Sequence, residues 1–115
     1  MTTSSRQIGI EKEQVAVAYL EKNGYQVIER NFTCKQGEID IIAKKEHYLV
    51  FIEVKYRKTN RYGTAQEAVN SKKQQRILQT ASYYLYKKQY SFSIPYRFDV
   101  IAINNTEITL IENAF

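Results

Sequence analysis

A chain of 115 residues suffices for one domain with a single core, and its one cysteine, Cys34, excludes an internal disulfide framework and fits a reducing compartment. Seventeen Lys and Arg against 12 Asp and Glu give a net charge of +5, which favours an anionic partner without naming one. No apolar run approaches the ~18–20 residues that span a bilayer, and residues 1–7 lack the apolar stretch of a signal peptide, so a cytoplasmic location with no membrane partner is expected.

Residues 1–115 read as a single domain, with residues 1–7 a flexible N-terminus. Residues 8–22 read as a first helix, stopped by Asn23-Gly24. Glu13, Ala16, Val17 and Leu20 share one face of it at helical spacing. Periodicity alone suits Glu13 as a boundary glutamate, its stem packed and its head in water. Residues 25–33 are rich in β-formers and predict a first strand. Two strongly apolar strands follow, joined at Glu46-His47. A loop over residues 59–64 leads to a long helix over about residues 65–89, with a break near Asn70-Ser71. Its buried stripe is Val69, Ile77, Ala81, Tyr84 and Leu85, and Lys72 and Arg76, four apart, share another face. Pro95 then ends helical continuation, and residues 96–104 and 106–112 form two strands around Asn104-Asn105. The order predicts a mixed sheet flanked by helices, an α/β sandwich.

The chemistry concentrates in the two apolar strands. Gly37-Glu38-Ile39-Asp40-Ile41-Ile42-Ala43 and Phe51-Ile52-Glu53-Val54-Lys55 embed acids and a lysine in segments that otherwise read as buried. A carboxylate placed there without a partner costs several kcal/mol or shifts its pKa. With Glu46-His47 at the hairpin tip, Lys45 pairs with Tyr48, Ala43 with Val50 and Asp40 with Glu53. In that register Asp40, Ile42, Phe51, Glu53, Lys55 and Arg57 share one face, and Ile39, Ile41, Ala43, Val50, Ile52 and Val54 the other. Directly opposed Cβ atoms lie roughly 4.5–5.5 Å apart, so the two carboxylates repel unless a divalent cation lies between them. Hard oxygen ligands favour Mg²⁺ or Mn²⁺, and the pattern suits metal-dependent phosphodiester chemistry. Glu38, on the face of Asp40, ranks below it as a ligand. Arg97 and Asp99, two apart in a strand, read as a structural ion pair. Tyr83, Tyr84, Tyr86 and Tyr90 read chiefly as core edge, with base stacking the minority reading.

Five segments together resemble the YraN family of small bacterial proteins: Gly9-Ile10-Glu11-Lys12-Glu13, Asn31-Phe32, Gly37-Glu38-Ile39-Asp40, Phe51-Ile52-Glu53-Val54-Lys55-Tyr56-Arg57 and Arg97-Phe98-Asp99-Val100. The resemblance runs from about residue 9 to residue 103. It implies the restriction-endonuclease-like fold of the PD-(D/E)xK nucleases, an α-β-β-β-α-β core with an extra C-terminal strand here, similar to archaeal Holliday-junction resolvases. On that likeness Asp40, Glu53 and Lys55 are the catalytic residues, and Glu13, Asp40 and Glu53 hold Mg²⁺ or Mn²⁺. Ile39 stands where the superfamily usually has proline, and Tyr56 where relatives often have a smaller polar residue. The expected activity is metal-dependent hydrolysis of DNA, with branched or single-stranded DNA as candidate substrates and a homodimer as a candidate assembly. Lys55 would orient water and stabilise developing charge, kept protonated by the carboxylates around it. Lys58, Arg61, Lys72 and Arg76 are the candidate contacts to the phosphate backbone. The rival reading is a nucleic-acid-binding or protein-docking module that keeps the nuclease-like fold without turnover.

Overall fold

The computed structural model describes residues 5–57, 69–91 and 93–115. Helix α1 (Ser5–Lys22) precedes strands β1 (Gln26–Cys34), β2 (Gly37–Lys45) and β3 (Tyr48–Arg57), and helix α2 (Ser71–Lys87) precedes β4 (Tyr96–Asn104) and β5 (Glu107–Ile111). Among the described residues these five strands form one sheet in chain order, β4 parallel to β3 and the other neighbours antiparallel. A parallel pair needs a long crossover, and α2 lies within the segment that makes it. The element order is the one expected from the sequence.

The two faces of the sheet carry separate cores. Ala16 and Leu20 of α1, four apart and fully buried, pack over Ile41, Val50, Ile52 and Ile101. Ile77, Ala81 and Tyr84 of α2 pack over Ile42, Phe51 and Phe98 on the opposite face. Because β3 and β4 are covered on both sides, their apolar residues run on without alternation at Leu49–Ile52 and again from Val100 to Ile103. Tyr84 is a core residue, whereas Tyr83 and Tyr86 are exposed. No helix among the described residues is long and apolar enough to cross a membrane.

Two boundaries differ from expectation. Helix α1 already includes residues 5–7, since nothing there breaks a helix; residues 1–4 lie outside the described residues. Helix α2 starts at Ser71, so the expected mid-helix break is its beginning. Asn70 is extended (φ −78°, ψ 173°), and its side-chain oxygen accepts the Lys73 N–H at 2.9 Å, satisfying a donor that the helix itself cannot. Residues 65–68 lie outside the described residues.

The Arg97–Asp99 pair is structural. Asp99 is fully buried and accepts from Tyr25 Oη (2.8 Å), from Arg97 Nε (3.1 Å) and from the Asn113 N–H (2.9 Å). Arg97 also donates to Tyr25 Oη at 3.0 Å and lies 3.6 Å from Glu112. Burial and the Asp99 carboxylate push the Tyr25 phenol well above its ordinary range. A buried charge partnered this fully ties Tyr25, just before β1, and β4 to the C-terminal segment.

Candidate functional site

The site lies where the sheet opens. The β2–β3 ladder runs from Lys45–Tyr48 through Ala43–Val50 to Ile41–Ile52, the register expected for a two-residue turn at Glu46-His47. The expected Asp40–Glu53 pair is not part of that ladder, which ends at Ile41–Ile52; beyond it Asp40 Oδ2 instead accepts the Val54 N–H at 2.9 Å. Asp40 therefore has a structural partner as well as a place beside Glu53.

Across β2 from Asp40, β1 pairs Arg30 with Ile41 and Phe32 with Ile39, and the intervening Asn31 is left-handed (φ 53°). That conformation, tolerated by Asn better than by most residues, changes which face the strand presents. Arg30 reaches Glu13 of α1 at 3.9 Å, while Phe32 and Ile39 join the core beneath α2. Ile39 thus does not share the face of Ile41, as uniform alternation predicts; the irregularity at Asn31 and Asp40 separates them. Asp40 occupies this seam, within electrostatic reach of Glu13 and of Glu53.

Glu53 carries the strongest conflict. It is 6% exposed, and its Oε2 has no hydrogen-bond partner. Its Oε1 lies 3.5 Å from Lys73 Nζ and 4.0 Å from Lys55 Nζ. Burial, and then the Asp40 carboxylate, push the Glu53 carboxyl up to about 8. Lys55 moves the other way, down to about 8, through burial and the adjacent Lys73 ammonium. The expectation that the neighbouring carboxylates offset the burial of Lys55 thus needs correction: burial and a second lysine together outweigh them. For Lys73, burial disfavours the charge, but the contact with Lys55 and the charges of Glu53 and Asp40 outweigh it and raise its pKa.

Glu13 is half-buried. Burial and Asp40 raise its pKa, opposed by a hydrogen bond with the Asn31 side chain and by Arg30. Among the described residues no three carboxylate, imidazole or thiol side chains form a ready metal cluster; Glu13 lies within electrostatic reach of Asp40 and Glu38. The donor chemistry of Asp40 and Glu53 nevertheless fits a hard divalent cation. Both supply oxygen, they repel each other, and one buried oxygen of Glu53 is orphaned.

A cleft of about 420 Å³ opens over these acids, between the β2–β3 seam and the N-terminal turns of α2. Gly37, Glu38, Asp40 and Glu53 line one wall, and Asn70, Lys72, Lys73, Arg76 and Ile77 the other. The exposed Lys72 and Arg76 thus reach the cleft as their helical spacing suggested. Lys58 and Arg61 lie outside the described residues. Sequence reading missed Lys73 and gave Asn31 no role beyond the family resemblance. Two adjacent lysines in a first helical turn that has no acid oppose the helix dipole, a legible oddity. An asparagine inside a β-forming run is another.

The model of the uncharacterised protein family UPF0102 matches residues 12–103. A UPF0102 protein of Lachnoclostridium phytofermentans is 49% identical over 107 residues, covering 93% of this chain and 91% of its own length. One from Clostridium botulinum is 45% identical, covering 96% and 95%, and one from Clostridium perfringens is 44% identical, covering 100% and 98%. With the family model spanning most of the chain and relatives this similar over nearly their whole length, the chain belongs to the UPF0102 family, the YraN-like family its motifs resemble.

Proposed function

We propose that this protein is a metal-dependent endonuclease that hydrolyses phosphodiester bonds in DNA, on a restriction-endonuclease-like core. One observation carries the reading: the buried, half-unpartnered Glu53 carboxyl, with Lys55 beside it, meets Asp40 at a strand seam, in a cleft whose opposite wall carries Lys72, Lys73 and Arg76. A pure binding module gains nothing from two repelling acids and a lysine held in its sheet.

In this reading Asp40 and Glu53 hold Mg²⁺ or Mn²⁺, with Glu13 behind them tuning the field. Such an ion would neutralise charge on the scissile phosphate and acidify water at the site. Lys55 orients the attacking water and stabilises charge that develops in the transition state. Its pKa near 8 leaves it largely protonated at neutral pH, as an electrostatic role requires. Lys72 and Arg76 contact backbone phosphates, a sequence-independent and salt-sensitive attraction. Branched or single-stranded DNA are the candidate substrates, and a homodimer is the assembly that a two-fold-symmetric junction would favour.

The test incubates labelled single-stranded, duplex, flap and four-way-junction DNA with the protein in Mn²⁺, Mg²⁺ or EDTA, alongside Asp40→Asn and Lys55→Ala. Cleavage that needs the metal and disappears in both variants, with DNA binding by Lys55→Ala largely retained, is expected. DNA binding without cleavage in either metal would replace the nuclease by the docking-module reading.

A further inference from the structure

We propose that Lys73 is a resident counter-cation: its ammonium stands in for the divalent ion at the Asp40–Glu53 site and is displaced toward the cleft when that ion binds. The inference rests on the reading of the two acids as a metal site, and it adds a residue that neither the motifs nor the family match assigns.

Four features support it. First, Lys73 Nζ is the nearer of the two ammonium groups to Glu53 Oε1, at 3.5 Å against 4.0 Å for Lys55. A carboxyl this buried ionises only beside positive charge, and in metal-free protein Lys73 supplies the nearest. Second, the Lys73 side chain is 39% exposed and that of Lys55 17%, so Lys73 has an open route to solvent. Third, its backbone N–H is held by the Asn70 side chain, which fixes the base of the side chain while four methylenes leave the ammonium free to swing. Fourth, the contact is incomplete: Oε2 of the same carboxylate stays without a partner, so one ammonium does not satisfy the oxygens present. A divalent ion accepts several oxygen ligands at once and resolves what a single ammonium leaves open.

Displacement has a consequence for the cleft. Lys72, Lys73 and Arg76 all line its wall, and a Lys73 ammonium released from Glu53 is freed to meet an anion there. Occupancy of the acids by metal then strengthens the hold on an anionic phosphate, so metal and phosphodiester bind with positive coupling through one side chain.

The test is calorimetric titration of Mn²⁺ alone into EDTA-stripped, dialysed protein, with no DNA and no turnover. Four variants accompany the wild type: Lys73→Met, Lys73→Gln, Lys73→Arg and Lys72→Met. Loss of the competing ammonium should tighten Mn²⁺ binding on the order of ten-fold in Lys73→Met and Lys73→Gln, the scale of one lost charge-assisted contact. Lys73→Arg should stay near wild type, and Lys72→Met, the same charge change one residue away, should shift affinity far less. If wild type binds Mn²⁺ but both neutral Lys73 variants bind equally or more weakly, the counter-cation role is wrong and the metal site stands. Equal tightening in Lys72→Met would reduce the effect to net charge and likewise overturn the role. Absence of Mn²⁺ binding in every protein would remove the metal site itself and this inference with it.

Discussion

Replacing Glu53 by Gln keeps the shape of the side chain and removes the acid whose ionisation the fold resists. The carboxyl titrates at about 8 in the native state against an ordinary 4.5. The native state therefore holds a proton that the unfolded chain releases, and stability falls as pH rises between those two values. At pH 7 the unfolded chain is ionised through about 2.5 pH units that the native state has not crossed, worth about 3 kcal/mol at ~1.4 kcal/mol per unit. Glu53→Gln escapes that loss. In EDTA at pH 7 it should melt higher than wild type, by roughly 10 °C for a domain of this size. At pH 4 both chains are protonated or neutral at this position and the two melting temperatures should converge. Lys55, lowered to about 8 from 10.5, acts with opposite sign and in a different window, restoring stability above pH 8, so it does not blur the interval from 4.5 to 8. Mn²⁺ should raise the melting temperature of wild type and leave Glu53→Gln nearly unmoved, because a ligand that binds only the native state stabilises it. The assay is differential scanning fluorimetry from pH 4 to 8.5, with EDTA or Mn²⁺. A gap between the two proteins that is the same at pH 4 and pH 7, or a less stable Glu53→Gln at pH 7, would refute the reasoning.

Three further outcomes follow from the geometry. Asp40→Asn should leave metal-free stability unchanged or higher, since the amide oxygen still accepts the Val54 N–H, whereas Asp40→Ala strands that donor and should cost about 1–3 kcal/mol by urea denaturation. Asn31→Ala should destabilise by about 1 kcal/mol or more through its left-handed backbone, and Asn31→Gly, which tolerates the conformation but lacks the amide, should separate backbone strain from the contact to Glu13 in the same denaturation series. Tyr25→Phe should remove one donor from the buried Asp99 and cost about 1–3 kcal/mol while leaving the Mn²⁺-induced melting shift intact; a lost shift would connect that network to the site.

Much of the site is local in origin, which is why it can be read before the fold is known. Asp40 and Glu53 come together through a two-residue turn, and the apolar residues around them hold the register, since a slip of one residue would turn the whole buried set to the wrong face. Lys55 follows Glu53 by two and so shares its side of β3. The limits are equally local. Uniform alternation misplaces Ile39 because it assumes an unbroken ladder, and the left-handed Asn31 opposite Asp40 breaks it. The helix expected from residue 65 begins instead at Ser71, where the Asn70 side chain supplies the cap.

The sequence by itself determined the element order, the hairpin register as far as Ile41–Ile52, the acids set in apolar strands and the lysine two residues on, because each follows from periodicity, turn length or the cost of desolvating charge. Tertiary structure alone decided what surrounds them. Packing of α2 against one face of the sheet sets Lys73 3.5 Å from Glu53, and packing of α1 against the other brings Glu13 within reach of Asp40 and Arg30. Residues 20 and 27 positions apart in the chain carry no local signal of such contacts; docking of the helices onto the sheet creates them, and with them the electrostatic field in which the two acids sit.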